Sequence, residues 1–163
     1  MCIKHKELIL LVSLVYILPR VTWADNHSLL TVGVGCVRIF DKDNKFFGSI
    51  GYRPSYRFYK VGPWICFEAT DRDFYLTGGG LLDITLGKHY FLTPSLGVGV
   101  YLENDGMHLG SSIEFREAIE ISYHFKNDAR LGLSFSHVSN AGISKQNPGT
   151  EAIMVIYALP LNF

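Results

Sequence analysis

The chain has 163 residues, enough for one domain, and its 15 acidic and 15 basic side chains leave a formal net charge of zero. That balance offers no basic surface to a polyanion, so nucleic-acid binding is set aside. Aromatic residues make up 13% of the chain and there are 16 glycines, which suits strands and turns better than helices.

The first element lies outside the folded domain. Lys4, His5 and Lys6 precede an apolar run from Leu8 to Leu18, Pro19 breaks that run, and Thr22-Trp23-Ala24 supplies small residues at the cleavage positions. This reads as a secretory signal peptide over residues 1–24, followed by a domain over 25–163. The apolar run is shorter than the roughly 20 residues a membrane-crossing helix needs, which argues against an anchor. Cys2 would leave with the peptide. Cys36 and Cys66 fall on strands that are not neighbours and read as apolar thiols rather than a disulfide.

Eight alternating segments follow: Leu29 to Phe40, Phe46 to Tyr59, Trp64 to Thr70, Asp73 to Gly87, Lys88 to Leu102, Ser112 to Phe125, Ala129 to Ser139, and Glu151 to Phe163. The sixth shows the pattern well. Ile113, Phe115, Ile119, Ile121, Tyr123 and Phe125 alternate with Ser112, Glu114, Arg116, Glu120, Ser122 and His124. In a soluble sandwich or a lipocalin-like cup the apolar face would be the core. Here the chain is exported, no helix is available to cover a sheet, and the polar face mixes acids with bases. The rule therefore inverts, with apolar side chains turned to lipid and polar ones packed within. The predicted fold is all-β, an eight-stranded antiparallel transmembrane β-barrel of the bacterial outer membrane. Lys60 to Pro63, Gly87-Lys88 and Lys126 to Asp128 read as short periplasmic turns; Glu103 to Ser111 and Asn140 to Thr150 read as longer outer loops. Phe163, on the apolar parity, is similar to the terminal aromatic of outer-membrane barrel proteins.

The last hairpin carries the chemistry. Strand side chains repeat every two residues, so His137 and Ser139 share the face of Leu131, Leu133 and Phe135, while Glu151 shares the face of Ile153, Val155 and Tyr157. Pairing Glu151 across from His137 also sets Ile153 against Phe135 and Val155 against Leu133, so one register satisfies both packing and chemistry. From Phe163 back to Glu151 a tilted strand climbs some 30 Å, more than the apolar band of about 25 Å, which puts the three polar groups at the outer interface. A catalytic group facing outward at that depth meets a lipid. Singly, His137 reads as a rim histidine, Ser139 as a strand-end residue and Asn147-Pro148-Gly149 as an ordinary turn. Their joint spacing on one face favours a serine nucleophile with its base.

Other candidates are weaker. Gly78-Gly79-Gly80 lacks the lysine and helix of a phosphate loop and reads as a bend in a curved strand. His89, His108 and His124 lack the close spacing of a metal site. Glu114, Arg116 and Glu120 are expected to form ion pairs in the lumen. Lys42, Lys45, Arg72 and Lys145 lie toward the outer loops, where they either meet lipid phosphates or are solvated.

The run Phe135-Ser136-His137-Val138-Ser139-Asn140-Ala141-Gly142-Ile143, followed by Asn147-Pro148-Gly149-Thr150-Glu151, resembles the lipid A 3-O-deacylase family of outer-membrane enzymes, which shares an H-x-S-N-A-G segment and then N-P-G-x-E. The resemblance is strongest between Phe135 and Glu151. It implies Ser139 as nucleophile, His137 as base and Glu151 as the group that orients the histidine. Asn147 would help hold the oxyanion, with Asn140, Ala141 and Gly142 beside the nucleophile. The implied reaction is hydrolysis of the ester-linked 3-hydroxyacyl chain at position 3 of lipid A, and it calls for no metal or cofactor. The implied partner is lipid A or lipopolysaccharide of the outer leaflet, with a homodimer left open. A phospholipase with the same three residues, or a structural or adhesive barrel without activity, are the alternatives.

Overall fold

The computed structural model describes residues 27–161, so the expected signal peptide and Phe163 lie outside the described residues. Within them the regular elements are all strands: β1 (Ser28–Val37), β2 (Lys45–Arg53), β3 (Val61–Ala69), β4 (Phe74–Leu82), β5 (Ile84–Leu86), β6 (Tyr90–Leu102), β7 (Ile113–His124), β8 (Arg130–Ser139) and β9 (Thr150–Leu161). Consecutive strands pair antiparallel, β1 returns to β9, and β4 pairs with β6, so the sheet closes. The short β5 continues β4 past Asp83 along the same partner, β6, and together they count as one of eight staves.

Alternation decides which way each side chain points. On β8 and β9, Phe135 and Ile153 are 40% and 41% exposed, whereas Ser136 and Ala152 are 5% and 7% exposed. The exposed set elsewhere includes Val32, Val34, Ile50, Ile65, Leu76, Val98, Ile119 and Ile121, a continuous apolar wall that only lipid can cover. Tyrosines gather toward one end of that wall, where Tyr90 packs edge-on against Tyr123 at 5.4 Å, and Phe67 stacks on Phe74 at 5.9 Å near the other. Such aromatic girdles mark the two interfaces of a barrel.

The lumen is filled. Asp83 is 6% exposed and is held by Arg130 at 3.1 Å, Arg57 at 3.3 Å and the Thr93 hydroxyl at 2.6 Å. Arg130 also lies 3.9 Å over the Phe91 ring. Arg53 meets Glu120 at 2.6 Å, and Arg116 meets Glu68 at 3.5 Å. Two of the three expected lumen charges are thus paired. The third, Glu114, is fully buried and its carboxylate has neither a hydrogen bond nor an ion pair among the described residues. Gly79 faces Gly97 across the β4–β6 seam, where a side chain on either would strike the opposing backbone, so the glycine run serves close strand approach. Cys36 and Cys66 are free thiols on opposite faces of the wall.

Two expectations about connections change. The inner turn between β2 and β3 covers residues 54–60, and Pro63 sits within β3. The outer connection between β3 and β4 is short, because the Thr70 hydroxyl accepts the N–H groups of Arg72 and Asp73 at 3.2 and 2.9 Å and closes a tight turn. Alternation of short and long connections therefore holds only in part. Of the basic residues near the outer rim, Lys45 and Arg72 both lie 3.7 Å from Asp71.

Candidate active site

β8 and β9 pair in the register that the alternation predicts: His137 opposite Glu151, Phe135 opposite Ile153 and Leu133 opposite Val155. His137 Nδ1 lies 3.1 Å from Glu151 Oε1, with the two side chains 40% and 32% exposed on the apolar outer wall. That contact fixes the ring orientation and turns Nε2 away from the carboxylate. Ser139 ends β8 two residues further on, on the same face and opposite Phe115 of β7. Among the described residues the imidazole is hydrogen-bonded to Glu151 and not to Ser139. A catalytic hydrogen bond of this kind commonly closes only when substrate is bound.

The loop over residues 140–149 brings the rest of the motif together. Asn147 Oδ1 accepts the Asn140 backbone N–H at 2.9 Å, and since an N–H can donate only to the oxygen, the Asn147 amide nitrogen faces the other way. Asn140 is fully buried and its side chain is spent on the loop: Nδ2 donates to the carbonyls of Leu109 at 3.0 Å and Gln146 at 2.7 Å, and Oδ1 accepts the Gly142 N–H at 3.0 Å. Its contribution beside Ser139 is therefore to hold the loop rather than to offer a free donor. Ala141 and Gly142 both take positive φ, 52° and 80°, a tight left-handed corner directly after the Ser139-Asn140 step.

Gly149 closes the loop at φ 65°, and a Cβ there would sit 3.0 Å from His137 Cε1 and 3.5 Å from Nε2. The glycine of the turn thus gives the imidazole its seat. A second loop, residues 103–112, braces the first. His108 Nδ1 meets Glu103 at 2.8 Å while its Nε2 meets Gln146 Oε1 at 2.9 Å, and Gly110 packs against the Gln146 backbone. These contacts raise the His108 pKa, first through the hydrogen bond to Glu103, then through that to Gln146 and the Glu103 charge. The second loop is itself tied down by the buried Asp73 carboxylate, which accepts the N–H groups of Asn104 at 3.2 Å and Met107 at 2.9 Å.

One group at this site escaped the sequence reading. Glu117 stands on the outward parity of β7, between Phe115 and Ile119, and its register partner is His137. Its signal was an acid interrupting an apolar face. No cluster of metal-ligating side chains occurs among the described residues. His124 points into the barrel and lies 3.3 Å from Asp128 near the inner end.

A family model described as lipid A 3-O-deacylase (PagL) matches residues 50–160. Two curated relatives, both named lipid A deacylase PagL, align over 73 residues. The one from Bordetella bronchiseptica is 29% identical, covering 44% of this chain and 41% of the relative. The one from Pseudomonas aeruginosa is 30% identical, covering 44% and 42%. The match thus spans well under half the length of these relatives. Among solved structures, the outer membrane enzyme PagL superposes with a TM-score of 0.65 at 18% identity, over 82% of this chain and 99% of that one. Neisserial surface protein A gives a TM-score of 0.62 at 9% identity, over 82% and 97%. At those identities the two structures establish the small outer-membrane barrel as the fold. Because the family model covers more than half of the sequence, and does so on a barrel of this architecture, the chain belongs to the lipid A 3-O-deacylase (PagL) family of the bacterial outer membrane.

Proposed function

We propose that this protein is an outer-membrane serine esterase that removes the ester-linked 3-hydroxyacyl chain from position 3 of lipid A, with Ser139, His137 and Glu151 as its triad. The observation that carries the reading is the placement of the His137–Glu151 pair on the lipid-facing wall, on the same face as Ser139. Soluble esters do not partition onto that wall, whereas a lipid of the outer leaflet lies against it with its ester at the interface, where water is still at hand.

In the reaction, His137 Nε2 takes the proton of Ser139 Oγ as the oxygen attacks the ester carbonyl. Glu151 holds the imidazole by Nδ1 and stabilises the imidazolium that forms. The amide nitrogen of Asn147, whose oxygen is taken by the Asn140 N–H, supplies a donor for the developing oxyanion. Collapse of the tetrahedral intermediate breaks the bond to the sugar oxygen, which leaves with the proton from His137. Water, deprotonated by the same imidazole, then releases the fatty acid and restores Ser139.

Mass spectrometry of lipid A from cells with and without the protein tests this. Loss of one hydroxyacyl chain is the expected result. A change in phospholipids with lipid A intact would indicate a phospholipase, and no change in either would indicate a barrel without this activity.

A further inference from the structure

On the strands, the outward-facing positions are apolar or small almost throughout. Asp, Glu, Lys, Arg or His occur on that parity at three places, Glu151, His137 and Glu117, and all three fall in one row of the sheet, on β9, β8 and β7. Glu151 is bonded to His137. Glu117 flanks His137 on the other side, is exposed, and makes no hydrogen bond or ion pair among the described residues. An unpaired carboxylate turned toward lipid is costly, the more so with depth. The lumen of the same barrel pairs most of its charges, so Glu117 stands apart.

Directly opposed residues on antiparallel strands have Cβ atoms about 4.5–5.5 Å apart, and diagonal ones about 7–8 Å. Glu117 is opposite His137 and diagonal to Ser139, which itself faces Phe115. The glutamate side chain is long enough to bring its carboxylate beside an ester carbonyl held at Ser139. A carboxylate accepts hydrogen bonds and donates none. What it can take from a lipid at that place is a hydroxyl close to the ester. We propose that Glu117 is a specificity-determining residue that accepts a hydrogen bond from the 3-hydroxyl of the acyl chain under attack, on the side of His137 away from Glu151. The inference rests on the esterase reading above and adds to it a reason for choosing hydroxylated chains.

The test uses the full-length protein folded in detergent micelles and two glucosamine 3-O-esters that differ only in the 3-hydroxyl of the acyl chain. Wild type is expected to favour the hydroxylated ester in kcat/KM by about tenfold or more, the size of one charge-assisted hydrogen bond. Glu117→Leu should bring that ratio close to one, and Glu117→Gln, whose amide oxygen still accepts, should keep part of it. Leucine fits a lipid-facing position, so heat-modifiable gel mobility should show a folded barrel in both variants. A ratio in Glu117→Leu equal to that of wild type, or a parallel fall for both esters, overturns the proposal while leaving the esterase intact. If wild type cleaves neither ester, the esterase reading fails and this inference with it.

Discussion

His137 and Glu151 meet across the β8–β9 seam, Nδ1 to Oε1 at 3.1 Å, on the face of the sheet that carries Phe135, Ile153 and the rest of the apolar wall. An acid and an imidazole bonded there gain little for stability, since both remain partly exposed. Removing them should therefore cost activity and leave the barrel. Ser139→Ala and His137→Ala are expected to abolish ester hydrolysis with heat-modifiable mobility kept. Glu151→Ala should retain roughly a hundredfold more activity than either, because the orienting carboxylate is the least costly member of a triad to lose. Fatty-acid release from the three purified variants checks the ranking.

Gly149 should be as sensitive as a residue that does chemistry. Alanine there must adopt φ 65° and crowd His137 Cε1 at 3.0 Å. Displacing the imidazole by a fraction of an ångström is expected to lower kcat by about tenfold to a hundredfold, with KM little changed. Steady-state kinetics of Gly149→Ala give the split, and a fall in KM affinity alone would mean that the loop, not the base, was disturbed.

The lumen carries the stability. Asp83 neutralises both Arg57 and Arg130, so Asp83→Ala leaves two guanidinium groups in the barrel core with their shared acid gone. A loss of about 3–5 kcal/mol is expected. Urea unfolding of the protein in lipid vesicles, followed by gel mobility, measures it.

The brace between the outer loops should respond to pH. Glu103 and Gln146 raise the His108 pKa, so the charged imidazole favours the braced arrangement. Its contribution is fully present below the ordinary histidine value of about 6.5 and is lost as pH rises through the raised one. His108 is exposed, and the effect is local. Hydrogen exchange of residues 103–112 and 140–149, corrected for intrinsic rates, should quicken above neutral pH in wild type and be insensitive to pH in His108→Gln.

The barrel and the His137–Glu151 register were legible in the sequence because period-two alternation fixes which face each residue takes, and one pairing satisfied Phe135 with Ile153 and Leu133 with Val155 at once. Glu117 was equally visible as an acid among Phe115, Ile119 and Ile121, yet its meaning depends on the β7–β8 register, which no single strand reveals. The work of Asn140 was not legible. Its partners include the Leu109 carbonyl on another loop, and loop conformations carry no periodicity to read. The unpaired Glu114 has the same origin: it is settled by tertiary contacts that alternation does not encode.

The central claim is that Ser139 is a nucleophile reached from the membrane. A fluorophosphonate carrying a long alkyl chain, incorporated into vesicles that hold the folded protein, tests it most directly, with the modified residue located by peptide mass spectrometry. One adduct on Ser139, absent in His137→Ala and unaffected by EDTA, is the predicted result. No adduct, or one on Ser136 or another lumen-facing residue, would contradict it.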